Sequence, residues 1–388
     1  MNHWRPQHYR KQGTKSGKDP VIIKRAIEIG TSITRKYPTI TPIFTLNHLA
    51  LISGTSLHKL RKVVSRNESD GYHYRFFQIS KRCRKKSKPT KRFICIPSSD
   101  LMRVQRVINS VILSKVPAHS ASVAYTKGSS IYNAASIHCG CKWLIKLDIK
   151  NYFESISERS VYSIFRSIGF PALLSFEMAR ICTRVIPRRG LTYDSRWINP
   201  RFEKGKIKAY RNRDVGSLPQ GSPSSPMLAN LASVHLDEEI ADLAYKNGLE
   251  YTRYADDITL STDNEYFSRL KASKLIQEVY FVMRKYGFEP NTTKASVTPP
   301  GGRKVVLGLL VDGASPRLTR DFRSKLRQHL YFCRKDGYGP IKHAKHKNFA
   351  SILGFKNHLA GLISYAKQID PDFGKKMNDE FNKIEWPF

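Results

Sequence analysis

The chain has 388 residues, 40% of them hydrophobic, which is enough to bury one or two cores and excludes a disordered tail. Lys and Arg number 67 against 31 Asp and Glu, and a net charge of +36 exceeds what solubility requires, so a polyanion is the expected partner. The longest clean apolar run, Val305 to Val311, falls far short of the roughly 20 residues of a spanning helix, and Met1 to Arg5 carry no apolar stretch of a secretory signal, so no membrane partner and a cytoplasmic location are expected.

Residues 1–45 read as a basic arm leading into a short helix over Val21 to Ile29. Leu46, Leu49, Leu57, Leu60 and Val63 predict two small helices broken at Ser53-Gly54. Tyr72 to Ile79 and Arg92 to Ile96 predict a strand hairpin. Its loop carries Lys81, Arg82, Arg84, Lys85, Lys86, Lys88 and Lys91 with no acid among them, and belongs on phosphates. A helix starts near Asp100, with Leu101, Val104, Ile108, Val111 and Ile112 on its apolar face. Trp143 to Ile149 alternates as a strand and puts Asp148 on the face opposite Ile145 and Leu147, away from the packed side.

Residues 184–214 are basic and irregular, as in an insertion or long loop. Pro223 to Tyr245 predicts one helix, Tyr251 to Ser261 a hairpin turning at Ala255-Asp256-Asp257, and Phe267 to Tyr286 a helix stopped by Gly287. Val305 to Val311 reads as a strand, followed by a helix from about Thr319. That helix has Phe322, Leu326, Leu330 and Cys333 on a core face, and Arg320, Arg323, Arg327 and Arg334 on a face assigned to phosphates. The six cysteines form no C-x-x-C half-site and read as free thiols.

Nucleotide polymerisation needs two hard cations a few ångströms apart, and carboxylates suit Mg²⁺. Asp148 on one strand and Asp256-Asp257 at a hairpin tip supply them if the two strands are neighbours. Taken singly, Tyr-x-Asp-Asp is as readily a turn as a site, because Asp tolerates turn geometry, and a lone Asp at a strand end, like Asp148, is more often a cap or a surface charge. The order of the pieces separates these readings. Leu147-Asp148-Ile149-x-x-Tyr152-Phe153, Leu218-Pro219-Gln220-Gly221-Ser222-Pro223 and Tyr254-Ala255-Asp256-Asp257 resemble, in order, the palm motifs of reverse transcriptases, and Gly287, Asn291 and Lys294 resemble the motif after them. Asn133-Ala134-Ala135-Ser136-Ile137-His138 resembles the N-A-x-x-H motif of the bacterial retron type.

The resemblance implies an α+β right-hand polymerase fold: basic arm 1–45, fingers 46–138, palm 139–300 with the insertion 184–214, and a small helical thumb 301–388. Its palm is an antiparallel sheet with helices on one face. It implies that Asp148, Asp256, Asp257 and the Ile149 backbone carbonyl hold two Mg²⁺ ions, for which Mn²⁺ can substitute. Phe153 becomes the gate that excludes a ribose 2′-hydroxyl. Gln220 lines the nucleotide pocket, Arg92 meets the triphosphate and Lys294 protonates the leaving pyrophosphate.

Asn133, His138, Val306 and Gly308 become RNA contacts. Where retron enzymes carry Val-Thr-Gly, this chain has Val306-Leu307-Gly308, so RNA recognition is expected to shift to the arginine face beyond it. A retron implies a cognate non-coding RNA as template and primer, a branched RNA–DNA product, an effector protein in antiphage defence, and a host RNase H, since residues 314–388 leave no room for that domain. Two alternatives stay open: a reverse transcriptase of another bacterial group, such as a group II intron or diversity-generating enzyme, and a non-catalytic RNA-binding module.

Overall fold

A computed structural model describes residues 4–66, 73–80, 91–185 and 195–388. The loop cations from Lys81 to Lys88, Cys83 and insertion residues 186–194 lie outside the described residues, and Arg92 and Lys91 are described by their backbone alone. Among the described residues no helix is long and apolar enough to cross a membrane.

The basic arm is helical, where the sequence led us to expect one short helix. Helices α1 (Pro6–Lys15) and α2 (Pro20–Lys36) each begin with proline, whose missing N–H costs nothing in a first turn. Asp19 caps α2 by accepting the Val21 N–H at 2.7 Å. The buried stripe Ile23, Ala26, Gly30, Ile33 runs past Ile29 and carries the helix with it. Trp4 covers Gly30, where any Cβ would come within 2.6 Å of the indole. Two short helices follow, α3 (Leu46–Ser53) and α4 (Leu57–Ser65), separated at Gly54 with φ +60°.

Strands β1 (Tyr74–Ser80) and β2 (Lys91–Pro97) pair antiparallel, and α5 (Ser99–Val111) buries Leu101, Val104 and Ile108 as its spacing predicts. A short helix, α6 (Ile131–Ser136), precedes the central sheet. That sheet is antiparallel throughout, with β3 (Trp143–Lys150) at its middle. On one side of β3 lies β5 (Asp257–Thr262), followed by β4 (Glu250–Tyr254); β6 (Glu289–Pro290) and β7 (Ser296–Thr298) pair with β3 in succession on the other.

Between β3 and β4 run α7 (Tyr152–Ser155), α8 (Glu158–Ile168), α9 (Ala172–Cys182), α10 (Ser225–Ala232) and α11 (Val234–Lys246). The last two replace the single helix expected over Pro223 to Tyr245. The chain breaks at Ser233, which is fully buried with its hydroxyl on the Ala229 carbonyl at 2.9 Å. Helix α12 (Arg269–Lys285) follows β5 and ends before Gly287, at φ +80°.

The C-terminal part is a separate helical lobe: α13 (Arg320–Arg334), α14 (Gly339–His346), α15 (Ile352–Ile369) and α16 (Pro371–Asn382) on a three-stranded sheet of β8 (Val305–Val306), β9 (Leu309–Leu310) and β10 (Arg317–Leu318). Thus Val305 to Val311 is a tight hairpin and not one strand. Leu307 and Gly308 form its turn with φ +48° and +86°, two consecutive left-handed residues.

Two apolar cores result. The larger takes Ile145, Leu147 and Ile149 from β3, and the smaller takes Leu144 from the same strand together with Val306, Leu326, Leu330, Phe355 and Leu359. β3 is therefore buried on both faces.

Candidate active site

The register of the central sheet brings the three carboxylates to one end. Asp148 stands directly opposite Asp257 across β3 and β5, and Tyr254 opposite Asp257 closes the hairpin with only Ala255 and Asp256 between. Ala255 takes φ +54°, a conformation that costs an alanine roughly 1–2 kcal/mol. The Ile149 N–H donates to the Asp256 carbonyl at 2.9 Å, which ties the turn to the strand beside it.

Asp148 does not open to solvent as its strand alternation suggested; it is 4% exposed. The Asn291 amide donates to Oδ1 at 2.7 Å, the Lys294 ammonium sits on Oδ2 at 2.5 Å, and the Asn291 N–H donates to the Asp148 carbonyl at 2.8 Å. Asp257 has its pKa pushed up by burial and then by the charges of Asp256 and Asp148, against the pull of Lys146 and Lys294. Among the described residues no three acidic, histidine or cysteine side chains already close on one point. Asp148, Asp256 and Asp257 are hard oxygen donors of a kind that could hold Mg²⁺ or Mn²⁺ in place of the Lys294 ammonium on Asp148.

A cavity of about 330 Å³ is lined by Phe153, Gln220, Gly221, Arg106, Met102 and Tyr125, among others, and the Tyr125 ring lies 6.1 Å from that of Tyr254 in the aspartate hairpin. Phe153 is half-buried on α7, edge-on to the Tyr152 ring at 5.4 Å. Gln220 is placed by a loop that docks on β2: the Cys95 N–H donates to the Gln220 carbonyl at 2.7 Å. Gly221, at φ +110°, lies so close to Cys95 that a Cβ would meet its carbonyl oxygen at 2.9 Å. The Ser222 hydroxyl donates to the Gln105 side-chain carbonyl at 2.6 Å and fixes the other side of the loop.

Sequence reasoning missed Arg106, Met102 and Tyr125. Arg106 was visible only as a cation off the apolar face of α5, and Tyr125 is marked by its φ of +62°, which no local sequence signal announces. Arg92 stands on β2 opposite Ile79, and its side chain lies outside the described residues.

The expected RNA contacts divide. Asn133 is exposed on α6, and Gly308 is exposed at the β8–β9 turn. Val306 is 1% exposed, and its side chain belongs to the smaller core, not to a surface. His138 is also a correction, being wholly buried. Its Nδ1 and Nε2 each lie 2.7 Å from a hydroxyl, Ser261 Oγ on β5 and Thr252 Oγ1 on β4, so the ring pins together the two strands that carry the aspartate turn. Hydroxyls give or accept as needed, which suits a neutral imidazole with one donor and one acceptor.

Burial lowers the His138 pKa to about 4. The unfolded chain takes up this proton near pH 6.5 while the folded one resists it, so stability is full above that value and is lost as pH falls from 6.5 towards 4, by roughly 3 kcal/mol at the limit. Urea unfolding at pH 7 and pH 5 should show about 2 kcal/mol of that loss, and His138→Gln should flatten it. An equally steep pH dependence in the variant would assign the loss to other groups.

The arginine face of α13 is only partly available. Arg323 donates to Asp370 at 2.5 Å and stacks on Phe373, and Arg334 is ion-paired with Glu380. Arg320 and Arg327 have no carboxylate bonded to them among the described residues, and with Arg317 and Arg323 they line a cavity of about 440 Å³ against Leu310 and Leu318.

Residues 83–324 match the family model described as reverse transcriptase (RNA-dependent DNA polymerase). The chain is 29% identical to the retron Ec86 reverse transcriptase of Escherichia coli, with 78% of this chain and 83% of that protein covered. It is 32% identical to the retron Ec73 reverse transcriptase of Escherichia coli over 78% and 86% of the two chains, and 27% identical to the retron Mx162 reverse transcriptase of Myxococcus xanthus over 89% and 68%.

Proposed function

The chain belongs to the bacterial retron reverse transcriptases, RNA-directed DNA polymerases, and on that premise we propose that it copies a cognate non-coding RNA into branched multicopy single-stranded DNA with two metal ions held by Asp148, Asp256 and Asp257. The observation that carries this reading is the register that sets Asp148 opposite Asp257 with Asp256 tied to Ile149. Asp148, Asp256, Asp257 and the Ile149 carbonyl would hold two Mg²⁺ ions, or Mn²⁺ in their place, which would supply positive charge for the primer hydroxyl, the reacting phosphate and the leaving pyrophosphate.

The protein's own residues do the rest. Lys294 releases Asp148 and holds its proton at Nζ for the departing pyrophosphate. Phe153 stands beside the sugar, Gln220 lines the nucleotide pocket, and Arg106 and Arg92 receive the triphosphate. The cognate RNA serves as template and as primer through a guanosine 2′-hydroxyl. The enzyme works in the cytoplasm beside an effector protein in antiphage defence, and a host RNase H trims the copied RNA. The test is to supply the purified protein with RNA transcribed from the DNA flanking its gene, dNTPs and Mg²⁺. A covalent RNA–DNA product that loses its DNA arm to debranching supports the retron reading, and extension only from an added DNA primer sinks it.

RNA grip is assigned to the basic cavity of the C-terminal lobe, the thumb. Phosphate contacts release counterions, so Arg320→Ala with Arg327→Ala should weaken RNA binding and reduce its slope against log salt by about one unit per arginine or less. Fluorescence anisotropy across a salt series reads this. An unchanged affinity and slope would turn that cavity away from the RNA.

A further inference from the structure

Beneath the aspartate turn lies Arg253 on β4, the largest side chain wholly removed from solvent among the described residues. A buried guanidinium is tolerated only when its charge and its N–H groups are met. Asp237 on α11 meets the charge: Nε and Nη2 donate to its two carboxylate oxygens at 2.7 and 2.6 Å, and the Tyr251 hydroxyl donates to the same carboxylate at 2.7 Å. That two-pronged pair already neutralises the group, which leaves Nη1 for other work.

Nη1 donates to the Ala255 carbonyl at 3.0 Å and to the Tyr152 hydroxyl at 2.7 Å, with the Asn230 side-chain carbonyl at 3.5 Å. Ala255 is the left-handed turn residue that immediately precedes Asp256. Tyr152 immediately precedes Phe153, touches its ring, and donates a hydrogen bond from its hydroxyl to the Ala229 carbonyl on α10 at 3.0 Å, with the Ser233 hydroxyl at 2.9 Å from the same oxygen. Helix α10 is the one that follows the Gln220 loop. One nitrogen therefore bonds at once to the carboxylate turn and to the residue that sets the aromatic of the nucleotide cavity.

We propose that Arg253 is a positioning residue that registers the Asp256-Asp257 turn against Phe153 through the Ala255 carbonyl and the Tyr152 hydroxyl. This inference rests on the roles given above to those aspartates and to Phe153. A turn held in the left-handed region by an alanine needs such an external tie, and a gate works only at a fixed distance from the reacting atoms.

Tyr152→Phe is the decisive variant, since it keeps the ring and removes the oxygen that accepts from Nη1, together with that oxygen's bonds to Ala229 and Ser233. We expect kcat to fall roughly ten- to hundredfold, selectivity for dNTP over rNTP to fall with it, and dNTP KM and the melting temperature to move little. Arg253→Lys, which cannot fork onto Asp237 and reach both other acceptors, should do the same more severely; should it not fold, Tyr152→Phe still decides. If Tyr152 acts through Phe153, the selectivity loss in Tyr152→Phe with Phe153→Val should be less than the product of the single losses. A lowered melting temperature with unchanged kcat and selectivity per folded enzyme would make the network purely structural and overturn the proposal. Asp257→Asn and Phe153→Val run alongside: if they leave synthesis and selectivity intact, the site reading itself fails, whereas their loss beside an unaffected Tyr152→Phe sinks this inference alone.

Discussion

Asp257→Asn should abolish DNA synthesis, with kcat down by at least about three orders of magnitude, because the several kcal/mol that bound cations supply convert at roughly 1.4 kcal/mol per decade of rate. Asp256→Asn should do the same. The change is nearly isosteric, and the pairing of position 257 with Tyr254 and Asp148 runs through the backbone, so the sheet should persist. RNA affinity should persist as well, since it comes from a chain of net charge +36, to which one lost carboxylate adds attraction. The sharper expectation concerns stability. Burial first, and then the like charges of Asp256 and Asp148, push the Asp257 carboxyl pKa up, so neutralising it removes a disfavoured charge, and without divalent metal the inactive protein should melt no lower than the wild type. Primer extension, RNA anisotropy and calorimetry on one preparation check all three. Extension near the wild-type rate would remove these carboxylates from the metal site.

Phe153→Val should admit ribonucleotides, with selectivity for dNTP falling on the order of a hundredfold, the scale at which apolar pockets discriminate by shape. The reason is geometric. Phe153 is half-buried at the cavity that also holds Gln220, and its ring is braced by Tyr152 and not by free rotation. Trimming it opens room beside the sugar's second carbon without touching the carboxylates, so dNTP incorporation should change far less than rNTP incorporation. Single-turnover competition between dNTP and rNTP reads this directly. Unchanged selectivity in a folded variant would return Phe153 to ordinary packing.

Local signals were legible and long-range ones were not. The alternation around Asp148, the hairpin at Asp256 and the order of motifs lie within short windows, and β3, β5 and the hairpin of β4 with β5 stand where those windows put them. The burial of Asp148 was hidden because its partners Asn291 and Lys294 stand 143 and 146 residues away. His138 looked like a surface contact since Ser261 and Thr252 are 123 and 114 residues distant. Arg323 looked free because Asp370, the residue that caps α16, stands 47 residues away. The turn at Leu307-Gly308 was missed for a different reason: leucine is no turn residue, and an apolar run with only one glycine has strand periodicity.

The division of β3 between two cores bears on how the hand moves. Leu144 points into the C-terminal lobe while Ile145 and Leu147 point the other way, so one strand is the floor of both. A lobe built on a shared floor has no hinge at that seam. Heat or denaturant should undo both cores in a single cooperative step, and proteolysis should not release the C-terminal lobe as an intact fragment. Any opening of the hand then falls to β1 and β2, which among the described residues pair as strands only with each other.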